Sequence, residues 1–128
     1  MNVRNARISD VKAICALINF YAEHDKMLFR SLADVYENLQ TFLVAEWDGR
    51  ILGCCALEII WSDLAEIKSL AVDQSSRGRG VGSLLVSTAL DQAARLGVPR
   101  VFALTLEPGF FARQGFQVVA KEELPMKV

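Results

Sequence analysis

The stretch Arg77-Gly78-Arg79-Gly80-Val81-Gly82 interrupts two apolar runs with alternating glycines and two guanidinium groups. Glycines let a backbone approach a ligand with no Cβ in the way. Successive amides in such a turn make a nest for anions. If a helix follows, its first turn adds unpaired N–H groups and about half a positive charge. The chemistry on offer is therefore the grip of a phosphate or diphosphate. A Walker loop is excluded, because GxxxxGK[ST] needs a lysine–hydroxyl pair that is absent. A dinucleotide fingerprint needs GxGxxG and an acid about 20 residues on, where Pro99 and Arg100 stand instead. Cysteine chemistry is not indicated. Cys15, Cys54 and Cys55 form no CxxC pair, so neither a disulfide framework nor a zinc site is expected.

The elements around this turn follow from periodicity. Val11, Ile14, Cys15, Leu17, Ile18 and Tyr21 recur at helical spacing behind Ser9, a residue able to cap. Ser31 with Asp34 resembles a capping box and opens a short helix to about Gln40. Two β-rich runs flank Asp48-Gly49, a dipeptide suited to a type I′ hairpin turn. A third run covers Ser62 to Val72. The helix after Gly80 carries Val81, Leu85, Ala89, Ala93 and Leu96 on one stripe and ends at Gly97. A strand over Arg100–Leu106, a short helix from Pro108 and a last strand over Phe116–Leu124 complete the chain. With a first strand at Asn2–Arg7, the order is β-α-α-β-β-β-α-β-α-β. This predicts one α/β (α+β) domain over residues 1–128, with a mixed sheet of about six strands and about four helices.

Composition narrows the function classes. Hydrophobic residues make up 52% of the 128-residue chain, which excludes disorder. Net charge is −1, from 14 basic and 15 acidic side chains, so no nucleic-acid footprint is expected. The longest apolar run, Ile51 to Trp61, contains Glu58 and is too short to span a bilayer. A polar start and unpaired cysteines fit a cytoplasmic protein. His24 reads as a loop or helix-end residue, and Trp47 and Trp61 as packing residues.

A third anion-binding turn fits where the other two fail. The segment 77–82 matches the (Q/R)xxGx(G/A) turn of acetyl-CoA-dependent N-acetyltransferases. "AEIKSLAVDQSSRGRGVGSLLV" resembles the signature strand, pyrophosphate loop and helix of the GNAT superfamily, and "FFARQGF" its late element. Within that superfamily, "LFRSLADVYENLQTFLVAE", "VFALTLEPGFFARQGF" and "LPMKV" look closest to enzymes that acetylate glutamate in arginine biosynthesis. Such short chains usually continue past the lysine with a tryptophan and a cysteine-rich tail, whereas this sequence stops at Val128.

The resemblance implies acetyl-CoA as cosubstrate, with no metal. Amides of Arg77 to Gly82 would hold the pyrophosphate, and main-chain groups of Leu70, Ala71 and Val72 the pantetheine arm, as an added strand would. The amide near Leu70 would polarise the thioester carbonyl. Glu66 is the candidate general base, four residues before Leu70 and on the same face if pleating is regular. Its alternative is a solvent-facing glutamate or one paired with Lys68, and Glu58 is the second candidate base. Many relatives place a proton-donating tyrosine where this chain has Phe111, so Phe110 and Phe111 are expected to pack around the acetyl end. Arg30, Lys127 and Lys68 are the candidates for binding the acceptor's carboxylates. The function so implied is acetylation of the α-amino group of L-glutamate. The alternatives are another small amine, a protein N-terminus, or a non-catalytic acetyl-CoA-binding module. Exposed sheet edges leave pairing into a homodimer open.

Overall fold

The computed structural model describes residues 1–124. Five strands, β1 (Asn2–Asn5), β2 (Phe42–Trp47), β3 (Arg50–Trp61), β4 (Leu64–Val72) and β5 (Arg100–Phe102), form one sheet in the order β1-β2-β3-β4-β5. The first four pair antiparallel with their neighbours, and β5 joins β4 in parallel. The helices are α1 (Val11–Ala22), α2 (Leu32–Glu37), α3 (Val81–Arg95) and α4 (Pro108–Arg113). Four helices match the expectation. The sheet has five strands where six were expected.

The missing strand is the one expected over Phe116–Leu124. That segment is irregular and ends in a 3-10 turn at Lys121–Glu123. Val118 is 87% exposed. β-branched residues favour strands only where an edge and a packing face receive them, and no sheet edge pairs with this segment. The strand expected to reach Leu106 stops at Phe102 for the same reason. Leu104 and Leu106 are exposed.

Local signals explain the rest. Asp48 and Gly49 both take positive φ, 50° and 77°, as a type I′ turn requires. Ser31 Oγ accepts from the Asp34 amide and caps α2. The return half of that capping box is missing, because the Asp34 carboxylate bonds elsewhere, and α2 ends at Glu37 rather than Gln40. α1 opens not on Ser9 but through Asp10, whose Oδ2 accepts from the Arg7 amide at 2.7 Å. Asp10 also pairs with Arg4, which reaches Glu46 and so ties β1 to β2.

The two sheet faces carry different helices. α3 lies over Leu43, Ala45, Cys55, Leu57, Ala65 and Ile67, placing Val81, Leu85, Ala89 and Ala93 in that core. Leu96, expected on the same stripe, is exposed at the helix end. α1 covers Phe42, Val44, Cys54, Ala56 and Ala71 on the other face. Cys54 and Cys55 therefore point to opposite sides, as their adjacency in a strand predicts.

Candidate active site

β4 is the element on which the candidate site is built. It pairs with β3 along its length, but with β5 only at Leu64, Ala65 and Glu66. From Ile67 to Val72 it has no strand partner on that flank. The expected splay is present, and main-chain groups along it can accept an extended ligand.

A β-bulge lies within the splay. Ala56 pairs with Lys68 and Cys54 with Ala71, so Ser69 and Leu70 together oppose the single residue Cys55. Ser69 takes φ 55°, the left-handed region that is strained for a residue with a Cβ. The bulge reverses the side-chain parity downstream. Leu70 and Val72 pack in the α3 core with Ala65 and Ile67, and Ala71 in the α1 core. Glu66 alternates with Ala65 and Ile67 and so faces α1. The expectation that Glu66 and Leu70 share a face is thus overturned: one extra residue breaks the regular pleat.

The glycine turn leaves β4 through Asp73, whose amide bonds the Leu52 carbonyl at 2.7 Å. Ser76 is buried beneath the turn. Gly78 and Gly80 take φ of 80° and 82°, and a Cβ on either would meet open space. Glycine is needed there for backbone direction. Gly80 heads α3 with no side-chain cap, which leaves the first-turn amides to another acceptor. Gly82 differs: a Cβ would come within 3.2 Å of the Phe110 ring. The absent side chain seats Phe110 against α3. Phe111 is buried and meets Phe110 and Phe116 edge to face. Arg77 is exposed and faces Glu107 at 3.6 Å, and Arg79 is exposed.

The α1 face of β3 and β4 gathers the ionic residues. Glu58 and Glu66 are direct cross-strand partners. The Lys68 ammonium pairs with Glu58, not with Glu66. Burial pushes the Glu66 carboxyl above its ordinary range. Burial, then the Arg30 charge, pushes the Lys68 ammonium down. Arg30 is held from several directions. Its Nε donates to Asp34 Oδ2 at 2.6 Å and its Nη1 to Ser69 Oγ at 3.1 Å. The guanidinium lies 5.0 Å from the Phe42 ring centre. Asn19 bonds both the Arg30 amide and its carbonyl. The side chain is 10% exposed, and Nη2 meets no acceptor among the described residues. Hydrogen bonding to Arg30 holds the Asp34 carboxyl below the usual carboxylate range.

Of the residues singled out in the sequence, Arg30, Glu58, Glu66 and Lys68 come together, and Leu70 to Gly82 line the neighbouring splay and turn. Lys127 lies outside the described residues. Ser69, Asn19 and Tyr21 were not singled out. Tyr21 donates its hydroxyl hydrogen to the Val72 carbonyl at the end of β4. Asn19 left one signal, a polar residue within an apolar helical pattern. His24 sits at the end of α1, where Nδ1 lies 2.7 Å from the Phe20 carbonyl. Trp47 and Trp61, expected to pack, are both more than half exposed. Among the described residues no cluster of three His, Cys, Asp or Glu side chains could hold a metal, and no helix is long and apolar enough to cross a membrane.

Comparison with known proteins places this geometry. The pattern of the Acetyltransferase (GNAT) family matches residues 9–116. An uncharacterized N-acetyltransferase of Chlorobaculum tepidum is 43% identical over 98% of this chain and 81% of its own. The amino-acid acetyltransferase of Mycobacterium tuberculosis is 46% identical over 89% of this chain and 67% of its own. The N-acetylglutamate synthase of Neisseria gonorrhoeae, solved with coenzyme A and N-acetyl-glutamate, superposes with a TM-score of 0.93 at 34% identity. That match covers 98% of this chain but only 30% of the synthase. With its splayed β4, glycine turn and five-stranded mixed sheet, the chain belongs to the GNAT family and is an N-acetyltransferase.

Proposed function

We propose that this enzyme transfers the acetyl group of acetyl-CoA directly to the α-amino group of L-glutamate. One observation carries the reading: Arg30, Lys68 and Glu66 converge on the α1 face of the sheet, beside the break between β4 and β5. A dicarboxylate needs paired cations, and Arg30 presents a fixed guanidinium edge whose Nη2 meets no acceptor among the described residues. The amino-acid acetyltransferase relatives support a small amino acid over a protein N-terminus.

The roles divide by face. Amides of the turn from Arg77 to Gly82 hold the pyrophosphate of acetyl-CoA. Main-chain groups of Leu70 and Val72 align the pantetheine arm, and the Leu70 amide polarises the thioester carbonyl. Glu66 takes the ammonium proton, directly or through a water. Its raised pKa suits that role, and the pairing of Lys68 with Glu58 supports it over the reading of Glu66 as that cation's partner. The amine nitrogen then bonds the acetyl carbon and the carbon–sulfur bond breaks. Phe111 has no proton to give, and the free thiol pKa of about 8.5 makes late protonation of sulfur inexpensive. An acetyl-cysteine relay has no support. Cys15, Cys54 and Cys55 are buried, and burial pushes all three thiols up, Cys55 to about 12.

Coenzyme A release measured against a panel of amino acids tests the assignment. Glutamate should exceed alanine and lysine. Equal release with all three sinks the glutamate reading, and no release with any amine favours a non-catalytic acetyl-CoA-binding module.

A further inference from the structure

We infer that Ser69 is a positioning residue that couples the acceptor's carboxylate site to the thioester-facing turn of β4. The inference rests on the glutamate reading for its substrate, but not for its geometry. Ser69 stands in a conformation that glycine adopts freely and serine does not, φ 55°. Nothing in backbone terms asks for a side chain there. Its hydroxyl oxygen, however, accepts from Arg30 Nη1 at 3.1 Å. The next residue is Leu70, whose amide the reaction needs. One residue therefore holds the guanidinium with its side chain and shapes the bulge with its backbone.

The surroundings make this a built arrangement. Asp34 takes the Nε hydrogen of Arg30, Asn19 fixes its main chain, and the Phe42 ring lies against the guanidinium. Those contacts fix the stem and one edge of the group. Ser69 alone anchors it to β4. Without the hydroxyl, Arg30 remains paired with Asp34 but can swing about that bond away from the splay. The carboxylate it binds would then stand off-line from the thioester carbon.

The strain gives a clean test, because Ser69→Gly removes the hydroxyl and relaxes the backbone together. A Ser69→Gly enzyme should melt no lower than the wild type. Its KM for glutamate should rise about tenfold, the loss of one hydrogen bond to a charged group. KM for acetyl-CoA should stay within about twofold, whereas kcat at saturating glutamate should fall about tenfold, because the bound acceptor stands off-line from the thioester. Ser69→Ala, which keeps the strain and loses the hydroxyl, should show the same glutamate KM with a lower melting temperature. A glutamate KM unchanged in both variants overturns the inference, and so does a rise confined to Ser69→Ala. A second readout needs no acceptor. The Arg30 guanidinium resonances in nitrogen NMR should show freer rotation in Ser69→Gly than in the wild type, and identical spectra would also overturn it. If the wild-type enzyme releases no coenzyme A with glutamate, the substrate reading has failed, and the Arg30 resonances decide the role of Ser69 alone.

Discussion

Glu66 faces Glu58 across the β3–β4 ladder, while Lys68 pairs with Glu58. Burial leaves Glu66 with a raised pKa. Only the carboxylate form can accept a proton, so activity should fall as pH drops through that raised value. The acid limb of kcat/KM should lie above the ordinary glutamate pKa of about 4.3. Glu66→Gln should lower turnover 10²–10⁴-fold, the typical worth of a general base, and erase that limb while leaving coenzyme A binding nearly unchanged. Stability should move the other way. A carboxylate whose folded pKa is raised favours folding below its unfolded pKa and opposes it as pH rises through the folded value. The glutamine variant should therefore melt at the same temperature or higher at neutral pH. Unchanged turnover, measured as coenzyme A release against pH, would remove Glu66 from the mechanism.

At the scale of elements, α3 follows directly on the glycine turn proposed to hold the pyrophosphate, and its seat on the sheet sets where that turn lies. The contact is close at Gly53 of β3. A Cβ there would stand 3.0 Å from both Leu85 Cδ1 and Val81 Cγ1, and 3.1 Å from the Ala71 carbonyl oxygen. Gly53→Ala should destabilise the fold by about 1–3 kcal/mol through overpacking. It should also raise KM for acetyl-CoA more than for the amino acid, because α3 must shift. Thermal melts and initial rates check both, and an unchanged melting temperature refutes the packing argument. The elements were legible wherever local chemistry decides them: the Asp48-Gly49 turn, the Ser31 cap, the stripe of α3. The glycine turn was legible because Gly78 and Gly80 need positive φ. What escaped was non-local. Val118 and Val119 look like strand residues, yet no sheet edge pairs with them. The extra residue at Ser69 leaves no mark in the apolar pattern, since "KSLAV" reads the same with or without a bulge. Arg30 could be picked as a cation, but Asn19, Asp34 and Ser69 meet it only through the fold.

For the molecule as a whole, the sheet separates two sets of groups. The glycine turn, Leu70 and Val72 belong with α3, while Arg30, Glu58, Glu66 and Lys68 lie on the side of α1 and α2. The sides communicate where β4 leaves β5, next to Ser69. The β-layer is thus a partition wall with one window, and the proposed roles give each reactant its own doorway. Neither must depart before the other arrives, so both can be aboard at once. Double-reciprocal plots at varied acetyl-CoA and amine should therefore intersect, whereas a family of parallel lines would mean that the acetyl group parks on the protein between two visits.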